Sequence, residues 1–166
     1  RYLQNSQICT DTRKISKGCL FFALKGPHFN GNEFAKEALK KGAYYAIVDI
    51  QSYAIDDRYI IVKDVLTTLQ ELARFHRKEL KCKVLGITGS NGKTTSKELC
   101  LQVLKKKYNT LATSGNLNNH IGVPISILSI GTDTEIAIID MGAIHINEID
   151  FLILKTNGRA TYFKLQ

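Results

Sequence analysis

The segment KVLGITGSNGKTTSKEL, residues 83–99, constrains the fold of this chain more than any other feature. An apolar run leads directly into Gly-Ser-Asn-Gly, and Lys-Thr-Thr then begins a pattern typical of a helix. A strand, a glycine-rich turn and a helix in this order direct backbone N–H groups toward an anion at the amino end of the helix. The segment therefore predicts a phosphate-binding loop.

The loop also carries side chains that nucleotide phosphates and their metal ion require. Gly89 and Gly92 frame the loop. Lys93 supplies a cation for the terminal phosphates, and Thr94 supplies a hydroxyl for Mg²⁺. The strict GxxxxGK[ST] pattern needs a glycine where the chain has Ile87, so this loop is a shorter variant. The alternative is an ordinary strand–turn–helix corner in which the lysine occurs by chance.

Runs typical of strands alternate with runs typical of helices, which predicts an α/β fold with parallel strands. The predicted strands are YYAIVD (44–49), YIIVKD (59–64), KVLGIT (83–88) and EIAIIDMGA (135–143). The predicted helices are a segment that ends at Gly42, VLTTLQELARFHRKEL (65–80), TTSKELCLQVLKKK (94–107) and HINEIDFLIL (145–154). No element is assigned to the polar tail KTNGRATYFKLQ (155–166).

Two helices have clear local signals. The first is expected to end at Gly42, and one of its faces holds Phe34, Ala35, Ala38 and Leu39. Asp64 is expected to cap the second, VLTTLQELARFHRKEL (65–80), by accepting hydrogen bonds from the first free amides.

The chain is expected to form two domains, residues 1–81 and 82–166. The first would be a small α/β module, and the second would be a parallel-sheet ATP-binding domain. The second domain has fewer predicted strands than a doubly wound domain, which has about five or six. We therefore expect the second domain to be truncated.

Composition excludes several function classes. Hydrophobic residues make up 44% and charged residues 23%, as in globular proteins. The apolar runs are far shorter than the roughly 20 residues of a membrane helix, and the first residues have no signal-peptide pattern. We therefore expect a cytoplasmic protein without membrane insertion.

The formal charge of +8 suits a polyanionic ligand such as a nucleotide. The chain has no aromatic RNA-binding motif and no zinc-finger spacing, so nucleic acid is not an expected partner. Its four cysteines and four histidines also lack the spacing of a metal site, and the cysteines are interpreted as reduced thiols.

Four stretches, in order along the chain, resemble the Mur ligase family. TGSNGKTT (88–95) is similar to the family's ATP loop, which departs from the strict pattern in the same way. Residues 11–43 resemble its N-terminal uridine-nucleotide domain. Residues 113–128, with Asn-Leu-Asn-Asn and Ile-Gly-Val-Pro, and residues 138–150 resemble the branch that adds D-alanyl-D-alanine.

The resemblance implies a reaction and its partners. The substrates would be UDP-N-acetylmuramoyl-tripeptide (UDP-MurNAc-tripeptide) and D-Ala-D-Ala, and the cofactors would be ATP and Mg²⁺. ATP would phosphorylate the tripeptide carboxylate, and the amine of D-Ala-D-Ala would attack the acyl phosphate. We expect a monomer that contributes to peptidoglycan precursor synthesis. The resemblance also implies that this chain holds only part of the family's central domain and lacks its C-terminal domain, so we expect that it cannot complete the ligation alone.

Carried over by position, the resemblance also implies site residues. Lys93 and Thr94 would be catalytic, and Thr94 and Asp140 would bind Mg²⁺, with Asp140 standing where the family has a glutamate. The ATP-binding residues would be Gly89, Ser90, Asn91, Gly92, Lys93, Thr94, Thr95, Asn118 and Asn119. The residues that bind the UDP substrate would be Thr12, Arg13, Lys25, Gly26, Asn30 and Gly31.

Several alternatives stay open. Asn30–Gly31 is as readily a structural turn as a ligand contact, because the family commonly has Asp-Gly-His where this chain has Asn-Gly-Asn. His76, His120 and His145 are interpreted as structural or surface histidines. The whole chain could instead belong to a sister ligase such as MurE, to a relative of folylpolyglutamate synthetase, to a P-loop NTPase, or to a nucleotide-binding remnant without activity.

Overall fold

The computed structural model describes residues 7–115 and 117–142, and the backbone of a strand at residues 160–165. The chain divides into two compact units, Arg1–Glu71 and Leu72–Gln166. The boundary falls inside a helix rather than after residue 81. The last turns of that helix contribute Ala73 to the apolar core of the second unit, and Leu80 joins the same core.

In its described residues, the first unit contains a parallel sheet, a short hairpin, a short α-helix and the first turns of the helix at the boundary. In chain order the elements are β1 (Ile8–Cys9), β2 (Leu20–Phe22), β3 (Lys25–Gly26), β4 (Phe29–Asn30), α1 (Ala35–Lys40), β5 (Tyr45–Val48) and β6 (Tyr59–Ile61). The sheet has the order β1-β2-β5-β6, and all of its pairs are parallel. The hairpin pairs β3 with β4 in antiparallel fashion.

Helix α1 packs through small side chains. Ala35, Ala38 and Leu39 are buried, as their spacing predicted. The prediction for Phe34 was wrong: it lies in the turn before the helix and is 42% exposed. Gly42 follows the helix with φ of +107°, a conformation that side chains with a Cβ rarely adopt.

The next helix, α2 (Val65–Glu79), begins as the sequence predicted. The Thr67 amide donates to Asp64 Oδ1 over 2.7 Å, so Asp64 satisfies one of the free amides of the first turn. The hydrogen bonds from Thr67 also hold the pKa of Asp64 below its usual value. The cap predicted at Asp64 is confirmed.

The second unit is built on a parallel sheet of the order β10-β7-β9-β8. Its elements are β7 (Lys83–Gly89), α3 (Lys93–Leu104), β8 (Thr110–Ala112), α4 (Gly122–Leu128), β9 (Ile136–Asp140) and β10 (Ala160–Leu165). Ala137, Ile138 and Ile139 of β9 are fully buried, which is typical of a strand covered on both faces. The α/β fold class with parallel sheets is confirmed.

The tail shows where the sequence analysis missed an element. We assigned no structure to it, yet the backbone of β10 pairs in parallel with β7 along its whole length. That pairing depends on an edge of β7 far away in sequence, so the local pattern did not reveal it. The helix expected at residues 145–154 lies outside the described residues.

None of the helices in the described part of the chain has the length and apolarity needed to cross a membrane. All four cysteines lie in that part and are free; Cys9, Cys19 and Cys82 are buried. Burial raises the pKa of the Cys19 thiol to about 11 and also raises that of Cys82.

Candidate active site

The glycine loop joins β7 to α3 through two glycines in left-handed conformations. Gly89 ends the strand with φ of +142°, and Gly92 precedes the helix with φ of +74°. Both values favour glycine, because a Cβ is strained there. Ser90 and Asn91 between them are exposed. The loop therefore opens at the amino end of α3, where backbone N–H groups attract an anion.

The side chains that the sequence analysis assigned to this loop lie at the start of helix α3. Lys93 is half-buried, and its Nζ donates to the carbonyl oxygens of Gly89 at 2.5 Å and Ser90 at 3.3 Å. Thr94 and Thr95 are exposed on the first turn of α3. The structure thus brings an ammonium group and a hydroxyl to the helix start, as a phosphate–metal site requires.

Asp140 lies at the same edge of the sheet. It ends β9 and pairs in register with Ile87 of β7, close to the start of the loop. The residue is 1% exposed, and neither carboxylate oxygen has a hydrogen-bond partner among the described residues. Burial raises the pKa of Asp140, and the positive charges of Lys93 and Lys97 act against that rise. A buried carboxylate in this state is costly unless something else binds it.

These residues fit a magnesium ion. The two oxygens of Asp140, which accept no hydrogen bond from the described residues, and the exposed hydroxyl of Thr94 are hard oxygen donors, which Mg²⁺ prefers. The described residues hold no cluster of three or more His, Cys, Asp or Glu side chains. A nucleotide-bound Mg²⁺ does not need such a cluster, because it takes its other ligands from water and phosphates.

Two further residues at this edge were missed by the sequence analysis. Lys97 is 2% exposed, and its Nζ donates to the carbonyl oxygen of Thr113 over 2.8 Å. The hydroxyl of Thr113 accepts from the backbone amide of Asp140 over 3.0 Å. The available signal for Lys97 was its position four residues after Lys93, on the same face of the helix.

The paired asparagines have different surroundings. The Asn119 side-chain oxygen accepts from the amides of Ile121 at 3.1 Å and Gly122 at 2.8 Å, where α4 begins. The Asn118 carbonyl accepts from the amide of Gly142 at 2.5 Å, two residues beyond Asp140. Both asparagines therefore order the loop before α4, and nucleotide contact by either one stays a prediction.

The first unit contains a cavity of about 630 Å³ near its N-terminal 3-10 turn. Its lining residues are Thr10, Asp11, Thr12, Arg13, Phe21, Phe29, Gly31, Phe34 and Glu37. Of the residues predicted to bind the UDP substrate, the lining includes Thr12, Arg13 and Gly31. The aromatic lining residues Phe29 and Phe34, both exposed, were not predicted as part of this site.

Arg13 is oriented at this cavity by its neighbour Asp11. The guanidinium donates to both Asp11 oxygens, with the shortest contact at 2.6 Å, and the Arg13 side chain is 85% exposed. The hydrogen bonds from Arg13 hold the pKa of Asp11 well below its usual value. Arg13 therefore presents a fixed charge at the rim of the cavity, suited to an anionic group.

Two of the other predicted substrate residues, Lys25 and Asn30, take part in a network of contacts around Asp49. Lys25 Nζ lies 3.0 Å from Asp49 Oδ2, and Asn32 Nδ2 donates to Asp49 Oδ1 over 2.9 Å and to Asn30 Oδ1 over 2.8 Å. A Cβ at Gly31 would overlap the Leu24 carbonyl oxygen. These contacts support a structural turn at Asn30–Gly31, and ligand contact by Lys25, Gly26 or Asn30 stays a prediction.

Two of the described histidines, His76 and His120, have positions typical of structural or surface residues. His76 is buried, with Nε2 2.9 Å from the carbonyl oxygen of Ile130 in the same unit. His120 is exposed. His145 lies outside the described residues.

Comparison with known families matches both units of the chain. Residues 5–77 match the family described as "Mur ligase family, catalytic domain", and residues 87–155 match "Mur ligase middle domain". The second match begins two residues before the glycine loop and includes Asp140.

Individual relatives agree over most of the chain. The UDP-N-acetylmuramoyl-tripeptide–D-alanyl-D-alanine ligase of Bacillus subtilis is 42% identical over 155 residues, which is 92% of this chain and 34% of the relative. The enzyme of the same name from Escherichia coli is 41% identical over 153 residues, with the same coverage. The chain thus spans about a third of the length of these relatives.

Solved structures give the same result. MurF ligase from Thermotoga maritima, in complex with ADP, superposes with a TM-score of 0.80 at 35% identity, over 92% of this chain and 35% of that one. MurF from Acinetobacter baumannii gives a TM-score of 0.78 at 36% identity, over 88% of this chain and 32% of that one. Because sequence, fold and the order of the motifs agree across both units, we conclude that this chain belongs to the Mur ligase family.

Proposed function

We propose that this chain supplies the nucleotide-binding parts of an ATP-dependent ligase that joins D-Ala-D-Ala to UDP-MurNAc-tripeptide. The observation that carries the proposal is the glycine loop with the buried carboxylate of Asp140 at the same sheet edge, a carboxylate without a hydrogen-bond partner among the described residues. The relatives and solved structures described above bear the name of this activity, which supports the choice of substrates.

In the second unit, the loop residues Gly89 to Gly92 and the start of α3 would hold the ATP phosphates. Lys93 would exchange its loop carbonyl partners for the β- and γ-phosphate oxygens. Thr94 and Asp140 would hold Mg²⁺, which when bound neutralises charge on the phosphates. Thr95, Asn118 and Asn119 would complete the nucleotide site.

In the first unit, the cavity would hold the UDP part of the tripeptide substrate. Thr12, Arg13 and Gly31 line it, and the guanidinium of Arg13 suits a diphosphate. Lys25, Gly26 and Asn30 would act on the substrate through the loop that they order.

The reaction would proceed in two transfers. A carboxylate oxygen of the tripeptide attacks the γ-phosphorus of ATP, the bond to the bridging oxygen breaks, and ADP leaves. The amine of D-Ala-D-Ala then attacks the carbonyl carbon of the acyl phosphate, and the tetrahedral intermediate expels inorganic phosphate. Lys93 and the amino end of α3 would stabilise the negative charge that builds up in the first transfer.

A sister ligase with another amino-acid acceptor is the second candidate, because the ATP loop is common to the family. An acceptor screen with UDP-MurNAc-tripeptide and ATP separates the two, and D-Ala-D-Ala is the acceptor that we expect. We further propose that the protein acts in the cytoplasm as a monomer in peptidoglycan precursor synthesis.

The nucleotide site is tested by replacing Lys93. We expect Lys93→Ala to weaken ATP binding by about tenfold or more, measured by calorimetry with Mg²⁺ present. Lys105→Ala, an exposed lysine beyond the end of the same helix, serves as the control. Unchanged affinity in Lys93→Ala would show that the loop does not bind phosphates.

The cavity is tested with Arg13→Ala and UDP-MurNAc-tripeptide. We expect weaker binding of the UDP substrate, with ATP binding unchanged, because the replaced charge lies in the first unit. Lys14→Ala, the exposed basic neighbour that does not line the cavity, is the matched control. Equal affinity in the Arg13 and Lys14 variants would contradict the assignment of the cavity.

A further inference from the structure

Two hydrogen bonds connect helix α3 to the backbone of Asp140 through a single intermediary, Thr113. Lys97 Nζ donates to the Thr113 carbonyl oxygen over 2.8 Å. The Asp140 amide donates to Thr113 Oγ1 over 3.0 Å. Thr113 is also tied to β9 by its own amide, which donates to the Ile138 carbonyl oxygen over 2.9 Å.

All three members of this chain of contacts are buried, with exposures of 2% for Lys97, 3% for Thr113 and 1% for Asp140. Burial of an ammonium group is unfavourable, and a methionine of similar length would fill the same space without a charge. Within the described residues, the contacts of Lys97 are the Thr113 carbonyl and the half-exposed carboxylate of Glu98 at 3.2 Å. Packing of the core therefore does not by itself require the positive charge of Lys97.

The contact between Lys97 and Thr113 lies close to the glycine loop. Lys97 lies one turn after Lys93 and Thr94, on the helix that begins at the glycine loop. Thr113 follows β8, and Asp140 ends β9, the neighbouring strand. The contact thus fixes the start of α3 relative to the strand that ends in Asp140.

We propose that Lys97 and Thr113 are positioning residues that hold the Asp140 carboxylate in register with Thr94, so that the two can share one Mg²⁺ ion. The proposal rests on the proposed function, because it assigns these residues to the metal site of the nucleotide loop. Neither residue needs to touch nucleotide or metal. Each acts through the backbone, Lys97 on Thr113 and Thr113 on Asp140.

The first test changes no charge. ADP affinity is measured by calorimetry on the whole chain, once with Mg²⁺ and once with a chelator, and the ratio gives the gain in affinity from Mg²⁺. We expect Thr113→Val to reduce this gain about tenfold, as loss of an outer-shell partner of a metal ligand does. Thr113→Ser keeps the hydroxyl and should keep the gain.

The second test addresses the lysine. Lys97→Met should lower the Mg²⁺ gain to a similar degree, and the double variant with Thr113→Val should lose less than the two single losses combined, because both act on one contact. Glu98→Gln removes the exposed partner of Lys97 and should leave the gain unchanged. If Thr113→Val and Lys97→Met lower the melting temperature but keep the wild-type gain, the residues are only structural and the proposal is overturned.

A third measurement does not depend on nucleotide. We expect the Asp140 amide to exchange its hydrogen about tenfold faster in Lys97→Met than in the wild type, with the amides of β7 unchanged. If Lys97→Met does not fold, the same measurement on Thr113→Val against Thr113→Ser decides the question. Absence of ADP binding in the wild type would overturn the proposed function, whereas normal Asp140 exchange in a folded Lys97→Met overturns the positioning contact.

Discussion

Two buried aspartates, one in each unit, lie at equivalent places and have opposite surroundings. Asp49 follows the parallel strand β5, and its side chain is 2% exposed. Asp140 ends the parallel strand β9 and is 1% exposed. Asp49 contacts Lys25 and Asn32 through both oxygens, whereas neither oxygen of Asp140 has a hydrogen-bond partner within the described residues.

The pKa values of the two groups move in opposite directions for this reason. Burial acts on Asp49 most strongly and would raise its pKa, but the hydrogen bonds from Lys25 and Asn32 bring it below the usual value. Burial raises the pKa of Asp140, and the charges of Lys93 and Lys97 only reduce that effect. The comparison teaches that Asp49 stabilises the fold, while Asp140 is held at a cost that a bound cation would offset.

The largest expected effect on stability follows from the loss of the Asp49 carboxylate. Asp49→Asn should lower the free energy of unfolding by about 2 kcal/mol, because Lys25 loses its anionic partner and an NH2 donor replaces one of the two oxygens that Lys25 and Asn32 contact. Urea denaturation gives the value, and hydrogen exchange of the β5 amides assigns it to the first unit. Asp57→Asn, at an exposed position in the same unit, is the control. Equal stabilities of the two variants would contradict a structural role for Asp49.

The stabilisation from Asp49 should also depend on pH with a defined sign. Its folded pKa is depressed, so its contribution is fully present above the unfolded value of about 3.9 and is lost as pH falls through the folded value. The difference in stability between the wild type and Asp49→Asn should therefore be constant near neutral pH and shrink below about pH 4. A difference that grows on acidification would reverse the interpretation.

A smaller change in the free energy of unfolding, of opposite sign, is expected when Asp140 is replaced. Asp140→Asn removes a buried charge that has no hydrogen-bond partner among the described residues. The substitution should raise the free energy of unfolding at neutral pH by about 1 kcal/mol, measured without nucleotide. The same variant should lose the gain in ADP affinity from Mg²⁺. Loss of stability in Asp140→Asn would mean that the carboxylate supports the fold as Asp49 does, and the contrast between the two units would disappear.

The sequence analysis located the glycine loop because its signals are local. Glycines with positive φ, a lysine, a hydroxyl and the start of a helix occur within eight residues, 88–95, and need no distant partner to be recognised. The Asp64 cap and the buried face of α1 were predictable for the same reason. The exposure of Phe34 was not predictable, because the burial of a residue next to a helix depends on which residues pack opposite it in the fold.

Residues whose role depends on distant partners were not predictable. Lys97 looked like one of many solvent-exposed lysines, and its burial follows from Thr113, sixteen residues later. Lys25 matched a substrate loop by position, yet it lies against Asp49. Strand β10 follows from an edge of β7 that no local pattern describes.

The amino-acid sequence by itself determined the fold class and the glycine loop, since periodicity and short-range chemistry encode both, and the family followed from the resemblance of four motifs in order. The tertiary structure alone decided which carboxylate has hydrogen-bond partners and which has none among the described residues. That distinction depends on burial and on hydrogen-bond partners from distant parts of each unit, and both Asp49 and Asp140 end an apolar strand in the same way along the chain. Only folding places Lys25 and Asn32 around one carboxylate and leaves the other, beside the glycine loop, without a hydrogen-bond partner in the part of the chain that the structure describes.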